Sequence, residues 1–577
     1  MGKNTKIRFA VLVGLAWFLV VPDVYADVLG AQQVFFVNSE YDSRGRDQVG
    51  ATLRSVSERA YLYVADDYWN GLGTFGRSQT LESLHGIGTE FDQRIYPQET
   101  TFFGSEPNPG IDDDPRVTLV FADLRQSVGG YFDSGNEFLR SQVPNSNERE
   151  IIFLNASQLW DPVRLHHFIA HEFQHLISFN QKEKLRSLEE DIWLNELRSE
   201  YAIGHLGYNS AYSGSNIERR AQSFLNQPSD SVTEWKNFIP DYGQVALLGA
   251  YMKQHWSPRV VADQLTSHTN GIASINDALA RNGYTDTFHD IFTGWMIANR
   301  LNDPSLGARY AYSDPGLASI RVAPTLLFPN MADAASLEVP LVLRDWEQRW
   351  YDLKGFVAGP TSTLRVSFSG DMASLRIPYV VFFNDGTTTI RTATTGEILI
   401  PNVGVTVTGV LLMPYTSQKL SGFSSNEPTH AITMSLARVK PQAIVVPEEK
   451  ITPEKFGLHE GDFIRAEGDK DIFIINPHGY KRIVLSPKIC LQYGHLGARG
   501  CFDAVHIVSA STRDAFTTSP YYTNGETEDG KIYQLIETGE DSAYLKDLNT
   551  MHYAFDQDGF GAYSVFRINN REQQSYQ

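Results

Sequence analysis

The chain has 577 residues, of which 42% are hydrophobic, and this length allows a sizeable core in more than one domain. Its formal net charge is −19, which argues against nucleic acid or an anionic membrane surface as the main partner, since either would favour a basic face. We expect three domains and no nucleic-acid binding.

The first 26 residues have the pattern of a secretory signal peptide. Three basic residues lie among the first eight, an apolar run extends from Phe9 to Val21, and the segment ends at the small residue Ala26. The run has 13 residues, whereas a helix needs about 20 to span a bilayer. An uncleaved anchor is the alternative. We therefore expect a secreted or extracytoplasmic protein, free or attached to the cell surface.

Residues 27–320 have the pattern of a mixed α+β domain. Residues 50–69 and several segments between 160 and 300 show helical spacing of apolar residues, whereas 116–124 and 150–157 resemble strands. The pattern predicts a small sheet followed by helices. Whether residues 27–49 form a propeptide that must be removed stays open.

A predicted helix beginning at Asp161 carries four histidines and one glutamate within residues 166–175. Asp161 followed by Pro162 is typical of a helix N-terminus. The apolar row of this helix consists of Leu165, Ile169, Leu176 and Phe179. Glu172 falls inside this row, where an ionised carboxylate is costly unless it is paired or has a chemical task.

The sequence from His171 to His175, HEFQH, is an H-E-x-x-H motif. The two imidazoles lie one helical turn apart and can bind zinc, while Glu172 can act as general base on the bound water. A catalytic zinc needs a third protein ligand, and we predict Glu196, which follows on a second helical stretch. Asn195 and Glu200 are predicted to support the ligands. An ordinary exposed carboxylate is the alternative for Glu200.

HEFQH together with WLNE and SEYA, within residues 193–202, resembles the gluzincin metallopeptidases, most closely the hyicolysin-type neutral zinc metallopeptidase family. Residues 112–138 and 147–157 also resemble this family, so that the resemblance covers roughly residues 30–310. It implies a zincin-like domain with zinc bound by His171, His175 and Glu196, and with Glu172 as the base. Leu197-Arg198 departs from the family, where a glycine and a small or apolar residue are usual. This departure leaves the ligands intact, and we expect Arg198 to affect the pocket or the local packing.

A hydrolytic site also needs a hydrogen-bond donor for the oxyanion of the attacked carbonyl. The segment from Pro240 resembles a stretch of gluzincin aminopeptidases in which a tyrosine supplies this donor, which makes Tyr242 the candidate. A packed aromatic at a helix start is the alternative. Substitutes for the role are His255, His268 and His289. His166 and His167 are predicted to lie near the ligands or on the surface. His205 is predicted to cap or pack locally.

Two further segments allow a functional and a simpler interpretation. Gly129-Gly130-Tyr131 would let the backbone approach a peptide paired along an edge strand, although a simple turn is preferred. Asp112-Asp113-Asp114 resembles a calcium-binding loop in charge only. We prefer a solvated turn to a calcium site, which would add calcium as a second cofactor.

The rest of the chain resembles two β domains. Residues 321–440 contain short strand-like runs typical of a β-sandwich, residues 441–456 have a linker composition, and 457–577 form a third, mainly β module. This module resembles a small β module found in exported proteins of candidate-phylum bacteria. It would serve as an envelope contact or as a structural cap. Cys490 and Cys501 could form a disulfide or be two small buried hydrophobic residues.

The sequence as a whole predicts a secreted or surface-attached zinc endopeptidase of α+β fold, with one zinc per chain and a protein or peptide as substrate. The alternative is an exported adhesin or envelope-binding protein with an inactive metallopeptidase scaffold. The complete set of ligands and base argues against this alternative. An aminopeptidase would need an acidic anchor for a free amine, and no clear motif for one is present.

Overall fold

The structure, a computed structural model, describes residues 27–576 except 333–335, 360, 373, 394–395, 418–428, 441–451, 528–530, 540 and 549–561. The chain divides into two compact units, Met1–Pro441 and Gln442–Gln577. The predicted signal peptide, residues 1–26, and residues 441–451 of the predicted linker lie outside the described residues. The predicted domain boundary at residue 320 stays a prediction, and the hydrophobic core of the first unit continues across it.

A six-stranded sheet forms the N-terminal part of the first unit. Its strands are β1 Gln32–Phe36, β2 Gln48–Val56, β3 Ala60–Ala65, β4 Val117–Ala122, β5 Gly130–Phe132 and β6 Ile151–Asn155, in the order β1-β2-β3-β4-β6-β5. The central strands β3, β4 and β6 run parallel, and all their residues are buried, as expected for strands covered on both faces. β5 pairs antiparallel with β6 and forms one edge of the sheet.

The predicted strands 116–124 and 150–157 are observed as β4 and β6, whereas the prediction of a helix over residues 50–69 was wrong. That segment forms most of β2, all of β3 and part of the short helix α1, Asp66–Gly71. Val49, Ala51 and Leu53 are buried at every second position, which is the period of a strand. A tight turn, in which the Ser57 N–H donates to the Ala60 carbonyl at 2.9 Å, then reverses the chain.

Three helices lie between β3 and β4, and seven more follow β6. They are α1 together with α2 Thr74–Glu90, α3 Tyr96–Phe103, α4 Pro162–Phe179, α5 Ile192–His205, α6 Asn216–Asn226, α7 Ile239–His255, α8 Arg259–Ala262, α9 Gly271–Arg281 and α10 Phe288–Arg300. Single π-helical turns continue α2 over Phe91–Ile95 and α4 over Asn180–Lys184. Helix α4 begins where the sequence predicts, since the Asp161 carboxylate accepts the Arg164 N–H at 3.1 Å.

Two antiparallel sheets with a common hydrophobic core follow the helices. The strands are β7 Leu326–Phe328, β8 Ser336–Arg344, β9 Tyr351–Lys354, β10 Thr363–Gly370, β11 Ile377–Phe383, β12 Thr388–Ala393, β13 Glu397–Ile400, β14 Val407–Leu412 and β15 Thr429–Val439. One sheet has the order β13-β10-β15-β8 and the other β12-β11-β14-β9-β7, in which β7 alone pairs parallel, with β9. Trp346 and Tyr415 pack against Phe292 of α10 at ring distances of 5.4 and 4.9 Å, so this region packs directly on the helices.

The second unit is mainly β, and the chain as a whole has an α+β fold. Its strands are β16 Phe463–Ala466, β17 Phe473–Ile475, β18 Tyr480–Ile483, β19 Val505–Val508, β20 Thr517–Thr518, β21 Tyr521–Asn524, β22 Tyr533–Gly539, β23 Ser542–Asp547 and β24 Phe566–Ile568. Short helices are α11 Pro487–Cys490, α12 Ala510–Ala515 and α13 Asn570–Gln573. Cys490 and Cys501 form a buried disulfide. None of the described helices has the length and apolar character needed to cross a bilayer.

Candidate metal centre

Helix α4 places the two histidines of the HEFQH motif side by side. His171 and His175 lie one turn apart, their ring centroids are 4.8 Å from each other, and both side chains are largely buried. Glu172 lies between them in sequence and is 6% exposed. It faces β5, because a Cβ atom built on Gly130 would lie 3.1 Å from its Cγ atom.

Helix α5 returns along α4 and brings Glu196 to the histidines. The Glu196 carboxylate lies 3.0 Å from Nε2 of His171 and 3.6 Å from Nε2 of His175. One ligating atom from each of the three residues lies within 4.8 Å of the others. Among the described residues this is the one group of three or more His, Cys, Asp or Glu side chains that could hold a metal ion. The sequence therefore predicted three residues that the structure brings together.

The electrostatics of the cluster favour a bound cation. Burial alone would lower the pKa of His171, but Glu196, with Glu172 and Glu200, raises it to about 9. Burial lowers the pKa of His175 to about 4, so this imidazole is neutral and its lone pair is free to bind a metal. Burial opposes ionisation of Glu196, yet the two histidines hold its pKa below the usual value. Two imidazole nitrogens and a carboxylate form a donor set that suits zinc.

The carboxyl group of Glu172 is suited to exchange protons near neutral pH. Burial raises its pKa to about 7, with His171 opposing and Glu196 adding to this rise. A general base works best when its pKa lies near the working pH. The position of Glu172 in the apolar row of α4 therefore provides the environment that a proton acceptor requires.

Glu200 lies behind the metal-ligand cluster and is completely buried, so the alternative of an exposed carboxylate was wrong. One oxygen faces Nδ1 of His171 at 3.5 Å. The other accepts hydrogen bonds from Asn216 at 2.7 Å and from Nε of Arg220 at 3.0 Å. These contacts fix the orientation of His171, as in metal sites where a carboxylate orients a ligating imidazole.

His175 has its own supporting residues, of which the sequence predicted only Asn195. The Asn195 side chain lines the cleft together with His175. The hydroxyl of Ser199 lies 3.2 Å from Nδ1 of His175 and donates to Gln174 Oε1 at 2.7 Å. Ser199 and Arg220 were both missed. Ser199 could have been found, because it lies one helical turn beyond Glu196.

Tyr242 lies near the start of α7, at the edge of the cluster. Its ring is 6.3 Å from the ring of His171 and packs against Trp235 at 4.9 Å, and the Arg220 guanidinium stacks over it at 4.6 Å. Burial and the nearby Glu196 and Glu172 raise the pKa of the phenol, which keeps it protonated and able to donate. Its hydroxyl donates to Asn237 Oδ1 at 2.9 Å.

The other predicted histidines have structural contacts. His255 lies 3.0 Å from the Ala311 carbonyl, His289 lies 3.1 Å from the Tyr415 hydroxyl, and His268 is exposed. The contacts of His255 and His289 do not involve the cluster, and the substitute role of the three histidines stays a prediction. His166 and His167 pack against Tyr208, at ring distances of 6.1 and 5.3 Å. His205 stacks on Phe102 at 4.0 Å, as a packing residue.

The two glycines before Tyr131 are required by close packing, not by a turn. A Cβ atom on Gly129 would lie 2.2 Å from the Phe168 ring, and one on Gly130 would lie 2.9 Å from the Phe153 carbonyl. The preferred reading as a simple turn was wrong, because Gly130 begins the edge strand β5. β5 thus lies directly against the helix that carries two of the possible metal ligands.

The aspartates at 112–114 are not a simple solvated turn. Asp114 is buried and accepts the Tyr61 hydroxyl at 2.6 Å, while Asp112 lies 3.7 Å from Nε of Arg149. Asp114 thus connects the loop before β4 to Tyr61 of strand β3. Among the described residues these aspartates do not join any group of three possible metal ligands.

A cleft of about 420 Å³ opens beside the cluster. It is lined by Asn38, Tyr41, Tyr131, Phe132, Asp133, Ser134, His175, Ser178, Phe179, Lys182, Glu183, Glu190, Asn195 and Glu196. Two of the possible metal ligands therefore face a space that an extended peptide segment could enter. Arg198, by contrast, lies outside this lining, and its guanidinium is 3.0 Å from Glu190.

Comparison with known proteins gives one informative relative. No family model matches the chain. Over 312 residues the chain is 26% identical to the neutral metalloprotease ShpI of Staphylococcus hyicus. The match covers 49% of this chain and 66% of that protein, so the chain spans slightly less than two thirds of this relative. The chain is thus a distant relative of a metalloprotease, in agreement with the resemblance seen in its motifs.

Solved structures resemble the chain only weakly. They include the periplasmic lysozyme inhibitor PliG of Aeromonas hydrophila, 11% identical over 20% of this chain and 98% of that chain, with a TM-score of 0.15. The pre-peptidase C-terminal domain of a Bacillus anthracis collagenase is 9% identical over 20% and 96%, with a TM-score of 0.14. The M60 catalytic domain of Clostridium perfringens ZmpB, with its CBM51 domains, is 10% identical over 67% and 59%, with a TM-score of 0.20. None of these scores supports an argument.

We expect the substitution Glu200→Gln to weaken zinc binding by about 10- to 100-fold, because it removes the negative charge that orients His171. The dissociation constant can be measured by competition with a chromogenic chelator. Glu218→Gln is the matched control. Glu218 lies on α6, and its carboxylate accepts a hydrogen bond from the Gly214 N–H at 2.6 Å and does not contact the cluster. Equal zinc affinities of the two variants would contradict the role of Glu200.

Proposed function

We propose that this chain is a zinc-dependent endopeptidase of the gluzincin type. The observation that carries the proposal is the convergence of His171, His175 and Glu196 within 4.8 Å, with Glu172 adjacent on the same helix. The distant similarity to a neutral metalloprotease supports it. His171, His175 and Glu196 would hold the zinc. A zinc ion bound there would polarise the scissile carbonyl and make a water molecule more acidic.

Residues of the chain would carry out the proton transfers. Glu172 takes a proton from the attacking water and passes it to the leaving amine, for which its pKa of about 7 is well suited. The hydroxyl of Tyr242 turns from Asn237 to donate to the oxyanion of the tetrahedral intermediate. Glu200 and Arg220 hold His171 in position throughout.

The substrate would be an extended protein or peptide segment. β5 is an edge strand, so its outer backbone groups can pair with an added strand. It lies against α4 beside Glu172, which would place the backbone of a paired peptide next to the general base.

We expect Glu172→Gln to retain zinc and to lower turnover by about 100- to 10,000-fold, since the amide cannot accept the proton. Zinc content is measured by elemental analysis and turnover on casein, with and without a zinc chelator. Glu82→Gln, on the exposed face of α2, should behave as the unmodified protein. If Glu172→Gln cleaved casein at the normal rate, the proposed mechanism would be excluded. If the unmodified protein showed no cleavage at all, an inactive scaffold with a binding role would be favoured.

We expect Tyr242→Phe to lower kcat by about 100-fold with little change in KM, because the hydroxyl is needed only when charge develops on the carbonyl oxygen. Steady-state kinetics on a fluorogenic peptide separate the two constants. Tyr563→Phe, an exposed tyrosine of the second unit, is the control. A change confined to KM would instead assign Tyr242 to substrate binding.

We also propose that the protein is exported. The composition of residues 1–26 supports this, and so does the disulfide between Cys490 and Cys501, which is typical of oxidising compartments. N-terminal sequencing of the protein secreted by its producing cell should give a chain that begins at or near Asp27. Recovery of the full-length chain from the membrane fraction would favour an uncleaved anchor.

A further inference from the structure

Charged side chains are distributed unevenly along α4 and the edge strand β5 that packs on it. β5 runs beside α4 in the same direction, since Gly129 packs on Phe168, Gly130 faces Glu172, and the rings of Phe132 and Phe179 are 5.9 Å apart. The metal centre lies near the middle of this helix. The site therefore has two ends, one beside the start of α4 and β5 and the other beyond their last residues.

The end near the start of α4, here called the basic end, is formed by Arg164 and Arg219. Arg164 is exposed, and its guanidinium lies 5.6 Å above the Phe168 ring, which itself packs on Gly129. Arg219 is exposed and is held by the Gly214 carbonyl at 3.0 Å and by Asn216 at 3.3 Å. Within the described part of the chain neither arginine forms an ion pair with a carboxylate.

The two arginines are close enough to influence each other. Burial, followed by repulsion from Arg164 and Arg220, lowers the pKa of Arg219. Two carboxylates oppose this effect. Glu200 is paired with Arg220, whereas Asp161 is exposed and caps α4. This end therefore carries the two positive charges of Arg164 and Arg219 beside the single exposed carboxylate of Asp161.

The opposite end, here called the acidic end, carries Asp133 and Glu183 in the lining of the cleft. Both are exposed. Lys182 also lines the cleft, but it is buried and its amine contacts Glu190 at 3.4 Å and the Thr269 carbonyl at 2.6 Å, so that its charge is compensated. Burial, with a contribution from Glu189, raises the pKa of Glu183.

A bound peptide would meet these ends in a defined order. Antiparallel pairing is slightly more stable than parallel pairing. β5 runs from the basic end to the acidic end, so an antiparallel partner places its N-terminal part at the acidic end. Residues before the scissile bond would then face Asp133 and Glu183, and residues after it would face Arg164 and Arg219.

We infer that the site, with the cleft at its acidic end and Arg164 and Arg219 beyond the cleft lining at its basic end, selects peptides with a basic side chain on the N-terminal side of the scissile bond and an acidic side chain on the C-terminal side. This inference rests on the proposed peptidase function and adds the substrate class. Arg164 precedes His171 by seven residues, which corresponds to about 10 Å along a helix. An extended peptide advances about 3.3 Å per residue, so the acidic residue belongs about three positions after the bond.

Three internally quenched peptides of equal length test the inference on the zinc-loaded full chain. One carries lysine three positions before and glutamate three positions after a common central sequence, the second has these two residues exchanged, and the third has glutamine at both places. We expect kcat/KM to be about three- to tenfold higher for the lysine-first peptide than for the neutral one, and lowest for the exchanged peptide. Raising the salt to about 0.5 M should reduce the differences.

The double substitution Arg164→Glu and Arg219→Glu should invert the preference at the downstream position, so that lysine is favoured there over glutamate. Arg571→Glu, the same type of substitution at an exposed position in the second unit, is the control and should retain the original order. Zinc content and circular dichroism show whether the variants are folded.

Equal cleavage of the three peptides, or preference for the exchanged order, would overturn the inference and leave the peptidase function intact. Failure to cleave any peptide or casein, with zinc present, would overturn the proposed function and the inference together. An unchanged preference in the double variant would show that Arg164 and Arg219 do not act on the substrate.

Discussion

The return of α5 onto α4 is the constraint on which the metal centre depends. One helix can offer two imidazoles on one face, but the third ligand must come from a second element that packs against it. Trp193, Leu194 and Leu197 of α5 are fully buried in the core that also contains α4. Each such side chain contributes about 1.5–3 kcal/mol of burial free energy, which offsets the desolvation of Glu196 and Glu200.

A chain of buried polar contacts then connects three helices. Arg220 of α6 pairs with Glu200 of α5, and Glu200 faces His171 of α4. The same guanidinium stacks on Tyr242, so the candidate oxyanion donor and a candidate ligand share one positioning residue. Burying a carboxylate without a partner costs free energy, so the fold is favoured only when Glu200 and Arg220 meet. Removing Arg220 would therefore disturb the metal ligand and the tyrosine together.

The sequence predicted those features that depend on local spacing. The helical period fixes His171 beside His175, and Asp161-Pro162 fixes where their helix begins. The interpretation of residues 50–69 failed because an apolar pattern over a short segment suits a buried hairpin as well as a helix, and only sheet pairing decides between them. The role of Arg220 could not be predicted from the sequence, for a different reason. Arg220 follows Glu200 by 20 residues, and no local pattern marks which of several arginines will reach a buried carboxylate.

Arg198 shows how a departure from a motif can be structural. It is fully buried and lies two residues beyond Glu196 on α5, where it pairs with Glu190. Glu190 also faces Lys182 and accepts the Gly271 N–H at 2.7 Å. These contacts fix the connection between α4 and α5 from both of its ends. Since the position of Glu196 depends on that connection, an arginine at position 198 holds this candidate ligand in place through Glu190 and not through contact with the candidate ligands.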